Sequence, residues 1–481
     1  MVQKGKHKFP LWLILGIAMA FFLRMPSLLE PYSYGDECIY LTLGHAIKRG
    51  LLLYRDIHDN KPPLLYLLAA FSGNLFWFRT ILLFSGLLTI FLFFLLAKRF
   101  FPKDEKMVKI STLIFSFLSS IPLFEAGVAN AENFMILPVI LGIILIFPFR
   151  NQSKLIFFIS GLLFSISFLF KVPAAFDFAA IFLFIFLFNF SKRNWANFLN
   201  SLIFSFGFLF PIFLTFIFFW SKNALKYYLS AFFFQNVSYV SSWGSTPYPR
   251  LILLFLFTFF LFLKRKKIEE SLLFLLLWFS FSLFGATLSG RPYPHYLIQV
   301  LPSFSLLLSS LLIKKKPTEH LLLSFSLALF LFSFFYFQFW IYSPIEPYKK
   351  FAKATFKKDF GESYLSAFGQ KIKRNYEISK FLILSTSKNE RVFIWGDSAC
   401  IYALSGRLPL GRYTVSYHII DFNGFAETIS LIKEKKPKFI IDLQDEPKPF
   451  PELKKILEEN YFLFNSFDEA KVYHKKIPPL Y

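Results

Sequence analysis

Cysteine is almost missing from this chain of 481 residues: it occurs twice, at Cys38 and Cys400. Two thiols exclude a disulfide scaffold and any multi-cysteine metal site. They are expected as unpaired small residues, with a single disulfide left open. No cysteine or histidine spacing marks a structural zinc site. Charge is scarce inside the long apolar runs, where Lys171 and Asp177, near one end of a span, are among the exceptions. Acidic residues are also outnumbered, 30 against 53 Lys and Arg, for a net charge of +23. In a soluble protein that imbalance would suggest nucleic acid. Here many cations stand in short clusters between apolar runs, where membrane topology accounts for them.

Apolar and aromatic residues fill the space that charge leaves. Hydrophobic residues make up 55% of the chain, aromatics 21%, and phenylalanine alone 72 positions. They come in runs rather than at amphipathic spacing, so lipid is the solvent for most of the chain. Candidate spans are 9–27, 80–97, 107–123, 131–149, 155–171, 173–190, 198–220, 248–263, 270–288, 295–313 and 318–342, about eleven by the length rule. Basic clusters at 4–8, 98–99, 150–154, 192–193, 264–267 and 314–316 fall between alternate spans, and the loop 124–130 has no Lys or Arg. The positive-inside rule then puts the N-terminus in the cytoplasm and everything after Tyr342 outside. The start resembles a signal peptide, but Phe21 to Leu23 prolong the apolar run, so an uncleaved first span is expected.

The expected fold is therefore a polytopic α-helical protein of the plasma (inner) membrane, 1–342, followed by a small extracytoplasmic α/β domain, 343–481. In the tail, 391–395 and 438–442 read as buried strands and 451–460 as a helix. The external first loop, 28–79, reads as two interfacial helices. One, at about 37–49, carries Ile39, Leu43, Ala46 and Ile47 on one face and ends at Gly50. The other starts at Pro62-Pro63.

Ionisable residues at the edge of lipid are functional candidates by default. The first loop carries Asp36, Glu37 and Tyr40, then His58, Asp59, Asn60 and Lys61 before the prolines. An N-cap role would account for Asp36 alone. It would not account for a second cluster of both charge signs. Further along stand Glu125, Glu132 and Asn133, then Arg291, His295 and Tyr296. Carboxylates and cations gathered on one side of a membrane fit sugar transfer from a polyprenyl phosphate. The phosphate leaves readily, so the reaction needs a carboxylate base for the acceptor and cations for the departing phosphate. Asp36 is the first choice as base and Glu37 the second. Lys61 and Arg291, supported by His58 and His295, are the phosphate holders. Tyr40, Asp59, Glu132, Asn133 and Tyr296 are left for the sugar or acceptor. No cofactor is firmly implied, and a divalent cation on carboxylates stays open.

These motifs resemble those of the GT-C glycosyltransferases that use polyprenyl-phosphate sugars, of the protein O-mannosyltransferase and aminoarabinose transferase type. Asp36-Glu37-x-x-Tyr40 looks like that group's first-loop acidic motif, whose aspartate is the presumed base. His58-Asp-Asn-Lys61-Pro-Pro-Leu64 is similar to its H-x-K-P-P-L stretch, whose lysine contacts the carrier phosphate. Glu132 stands where the second acidic loop would be, and Arg291 to Tyr296 is similar to a late histidine-tyrosine signature. The resemblance implies a lipid-linked sugar donor, and a glycolipid, glycan or protein acceptor. Asn60, where an acidic residue or histidine is common, departs from the pattern, and the tail carries no motif. The rival is a transporter or flippase of lipid-linked saccharides, which should show charged mid-membrane positions and internal repeats. A scaffold presenting the tail would leave the first loop unexplained.

Overall fold

The computed structural model describes residues 10–149, 152–188, 194–241, 246–313, 317–445 and 447–476. The basic clusters at 4–8, 192–193 and 314–316, with Arg150 and Asn151 of the cluster 150–154, lie outside the described residues. The chain divides into two compact units. The first comprises Met1–Leu28, Arg79–Lys222 and Phe234–Pro347; the second comprises Leu29–Phe78, Asn223–Phe233 and Tyr348–Tyr481.

The first unit is helical, and all eleven expected segments carry helix. Leu11–Leu29, Leu75–Phe100, Trp195–Ser221, Glu270–Thr287 and Glu319–Tyr336 are long and apolar enough to cross a bilayer. Shorter apolar helices include Ala131–Ile146, Lys154–Phe170 and Ala174–Phe188. The chain is thus a polytopic membrane protein. The helix Glu270–Thr287 is apolar all round and buried along nearly its whole length, as buried protein surroundings require. Small residues let helices approach: a Cβ on Gly161 would lie 2.2 Å from the Phe204 carbonyl oxygen. Helices Lys154–Phe170 and Asn194–Ser221 therefore meet backbone to backbone.

The second unit is built on a five-stranded sheet. Its strands are β1 (Arg391–Trp395), β2 (Leu408–Pro409), β3 (Phe439–Leu443), β4 (Tyr461–Phe467) and β5 (Ala470–Lys475), in the order β2-β1-β3-β5-β4. β1 runs parallel to β2 and β3, and β5 antiparallel to β3 and β4. β1 and β3 fall at or within one residue of the stretches read as buried strands. Helices cover both faces. Ile378, Leu382, Ile401 and Tyr402 pack on Val392, Ile394 and Ile441, and Ile419, Ile432, Leu453 and Ile456 pack on Phe393, Trp395 and Ile440. Such two-sided burial explains why β1 and β3 read as continuous apolar runs.

Part of the first loop belongs to this unit as well, where the sequence suggested a division at 342/343. Helices Gly35–Lys48 and Pro63–Ser72 are in close contact, since a Cβ on Gly44 would sit 2.6 Å from the Ala70 nitrogen. Cys38 and Cys400 form a disulfide, with Cα atoms 4.7 Å apart, which corrects the expectation of unpaired thiols. The reason is packing. Both residues are buried, and beside them Thr42 Oγ1 donates to the Ala399 carbonyl at 3.4 Å. Arg49 adds a hydrogen bond to the Gly406 carbonyl at 2.6 Å.

Candidate active site

The candidate residues gather in two clusters, one in each unit. In the second unit the helix Gly35–Lys48 has Tyr34 at its N-cap, so Asp36 is its second residue and not the cap. This overturns the capping reading and leaves the Asp36 side chain available for other contacts. The Tyr40 hydroxyl, one turn on, donates to Asp36 Oδ2 at 2.9 Å. Lys61 Nζ lies 3.3 Å from the same oxygen and 4.9 Å from the centre of the Tyr40 ring. The Asp36 side chain is 36% exposed, whereas Glu37 is buried.

Lys61 is held through its backbone. Its amide donates to the Tyr66 hydroxyl at 3.0 Å, and its carbonyl accepts from the Tyr54 hydroxyl at 2.8 Å. Burial, with Tyr228 and Asp59 nearby, pushes the Tyr54 hydroxyl well above its ordinary pKa and keeps it a donor. Asp59 is buried, 3.9 Å from Lys61 Nζ and 3.7 Å from His418 Nε2. Burial holds the His418 pKa below its ordinary value, opposed by Asp59 and assisted by Lys61. The His58 amide donates to the Arg412 carbonyl at 2.9 Å, and its ring is packed against Tyr413, His418 and Phe422.

The first unit holds a more enclosed cluster. Glu125, at φ 54° after a short 3-10 turn, pairs with His295 Nδ1. His295 Nε2 lies 3.9 Å from Glu132, which Lys171 meets at 2.9 Å. Glu132 is the second residue of the helix Ala131–Ile146. Lys171 sits 5.2 Å from the Tyr296 ring centre, the Tyr296 hydroxyl is 3.0 Å from that of Tyr239, and Arg291 stacks over the Tyr239 ring at 3.9 Å. Asn133 spends its amide on the Glu125 and Val128 carbonyls, bracing the loop. Arg24 also braces this region, donating to the Ser120 hydroxyl and to the Ser119 and Ala126 carbonyls. Asp177 is buried and accepts from Trp278, Ser282 and Gln299 at 2.6–2.7 Å. Gln299 ends the short helix Pro294–Gln299 that carries His295.

Sequence reasoning singled out both acidic pairs and both late cations but missed several partners. Tyr54, Tyr66, His418 and Arg412 carried no signal. Lys171 did carry one, as a lone cation at the end of an apolar run, without a partner to assign. Among the described residues no group of three or more His, Cys, Asp or Glu is arranged to hold a metal ion.

Apolar helices and a mixed α/β unit define the class: a polytopic membrane protein with a sheet-containing second unit. The solved structures it is similar to include ArnT from Cupriavidus metallidurans, both bound to undecaprenyl phosphate and in the apo state. Each is 13% identical, with TM-scores of 0.57 and 0.58, over 96% of this chain and 97% of ArnT. The likeness is one of fold. No protein-family model and no curated protein matches the sequence.

Proposed function

We propose that the protein is a membrane glycosyltransferase that moves a hexosyl or pentosyl group from a polyprenyl-phosphate carrier to a glycolipid, glycan or protein acceptor. The observation that carries this reading is Lys61 Nζ at 3.3 Å from Asp36 Oδ2, the expected base beside the expected phosphate holder. The fold supports it too, since the ArnT of the same fold was solved with undecaprenyl phosphate. Arrival of the carrier phosphate gives Lys61 a second anion, and Asp36 is released toward the acceptor. The acceptor oxygen or nitrogen then bonds the anomeric carbon, the bond from that carbon to the phosphate oxygen breaks, and the acceptor proton passes to Asp36. Lys61 holds the departing phosphate as a point charge, and the Tyr40 hydroxyl keeps Asp36 oriented. Glu37, being buried, is the weaker candidate for the base.

In the other cluster, Arg291 remains a candidate phosphate holder. His295 does not suit that task, because both its ring nitrogens point toward carboxylates. Glu132 and Tyr296 are assigned to the sugar or acceptor. The reading includes about eleven spans, a cytoplasmic N-terminus, and an external tail 343–481. A reporter that is active only in the cytoplasm, fused after Tyr481, should stay dark; a bright signal would overturn that topology. Purified protein incubated with radiolabelled polyprenyl-phosphate sugars and membrane extract should yield a labelled acceptor. Movement of label across a bilayer without any new covalent product would indicate a flippase instead.

A further inference from the structure

The second unit holds a cleft of about 600 Å³ that the transfer reading does not use. It lies where β1 and β3 begin and β5 ends. Six cations line it, Arg391, Lys435, Lys436, Lys438, Lys475 and Lys476, against one carboxylate, Glu390. A solvated lysine face would leave the ammonium groups to roam. Here four of the six are aimed by backbone carbonyls. Arg391 donates to Pro409 at 3.2 Å, Lys435 to Leu410 at 3.5 Å, Lys438 to Ser385 at 2.8 Å, and Lys476 to Glu458 at 2.9 Å. With one such bond each, Lys435 and Lys438 keep two further donors, while Lys476, which also donates to the Glu459 carbonyl at 3.0 Å, keeps one. A recess lined by one sign of charge concentrates counter-ions, and its volume falls in the range of roughly 300–1,000 Å³ usual for ligand sites.

An aromatic platform adjoins the cleft. His474 lines it, and its ring stands 5.4 Å from that of Phe462 and 5.7 Å from that of Phe464. Phe462 and Phe464 are 45% and 51% exposed on β4, the edge strand. Sugar rings present polarised C–H groups that suit the negative face of an aromatic ring, while lysines suit phosphate or carboxylate substituents. We propose that this cleft and the rings beside it bind an anionic saccharide, a sugar chain bearing phosphate or carboxylate groups, at a site separate from the Asp36–Lys61 cluster. A lipid surface is the less suitable partner, because the cations line a recess while a bilayer presents a flat face.

The test uses the full-length protein in detergent, with a heparin-derived oligosaccharide, a neutral dextran oligomer of equal length, inorganic tripolyphosphate, and vesicles rich in phosphatidylglycerol. The heparin fragment should bind with an affinity that falls as salt rises, and dextran should not bind. Replacing Lys435, Lys436 and Lys475 together by Gln should weaken the heparin fragment and tripolyphosphate by at least about tenfold. The double change Phe462→Ala and Phe464→Ala should weaken the heparin fragment while leaving tripolyphosphate unchanged. Unchanged unfolding midpoints will show that these exposed substitutions leave the fold intact. Heparin binding that ignores the lysine changes would overturn the proposal. So would vesicles that compete for the same lysines more strongly than the heparin fragment, which would make the cleft a lipid contact. Because binding is read directly, failure here is separate from failure of the transfer reading.

Discussion

Asp36 and Glu132 look alike in local terms. Each is the second residue of a helix, each has a lysine partner, and each lysine stands over the ring of a tyrosine. They differ in surroundings. Asp36 is 36% exposed, at 3.3 Å from a lysine that has a second acid only at 3.9 Å. Glu132 is 4% exposed and belongs to a run from Glu125 through His295 to Lys171 in which each charge is matched by its neighbour. A half-exposed ion pair costs little to open, whereas a buried one leaves an uncompensated charge when broken. The first arrangement suits a group that must change partners during a reaction, and the second suits a group that must stay in place.

Substitutions can break this contrast. Asp36→Asn should lower the transfer rate by about 10²–10⁴-fold, the usual scale for removing a general base, with little change in stability. If it transfers normally while Glu37→Gln is dead, the base is Glu37. Lys171→Ala should act the other way, destabilising the first unit by about 3–5 kcal/mol in a thermal or denaturant unfolding assay. A stable Lys171→Ala protein with lost transfer would move Glu132 into the same category as Asp36. Lys61→Ala should weaken donor binding far more than it destabilises, as read by titration with a polyprenyl phosphate. Normal binding would reduce Lys61 to a membrane anchor.

Smaller effects sharpen the picture of the second unit. Replacing Cys38 and Cys400 by Ser should lower its unfolding stability by about 2–4 kcal/mol. The mildest effect is expected from pH. His418 has its pKa held below 6.5 in the fold, so as pH falls the unfolded chain takes up the proton first. The stability it contributes is present above about pH 6.5 and is lost below. Acidification should therefore lower the unfolding midpoint, and His418→Gln should flatten that slope. A midpoint with the same pH slope in both proteins would remove His418 as its source.

The first-loop residues were legible because their signal is local: an acidic pair that opens a helix, then a lysine before a Pro-Pro start. The strands β1 and β3 were legible for the same reason, as short apolar runs bounded by polar residues. The disulfide was not, since its halves are 362 positions apart and each sits in an ordinary helical pattern. His418 also escaped notice, because a single histidine in a tail without motifs acquires meaning only beside Asp59. The cap role weighed for Asp36 fails because the helix begins at Gly35, two residues before the expected start, an offset common at helix ends.

The second unit is assembled from 29–78, 223–233 and 348–481, and this order along the chain governs how the protein can be made. The segment that carries Asp36 and Lys61 leaves the ribosome among the first residues, yet β1, β3 and Cys400, with which it shares a unit, come hundreds of residues later. During synthesis the first loop must wait at the membrane while the intervening apolar segments are inserted. A chain cut at 342 would therefore keep every first-loop motif intact in sequence and lack the surface on which those motifs take shape.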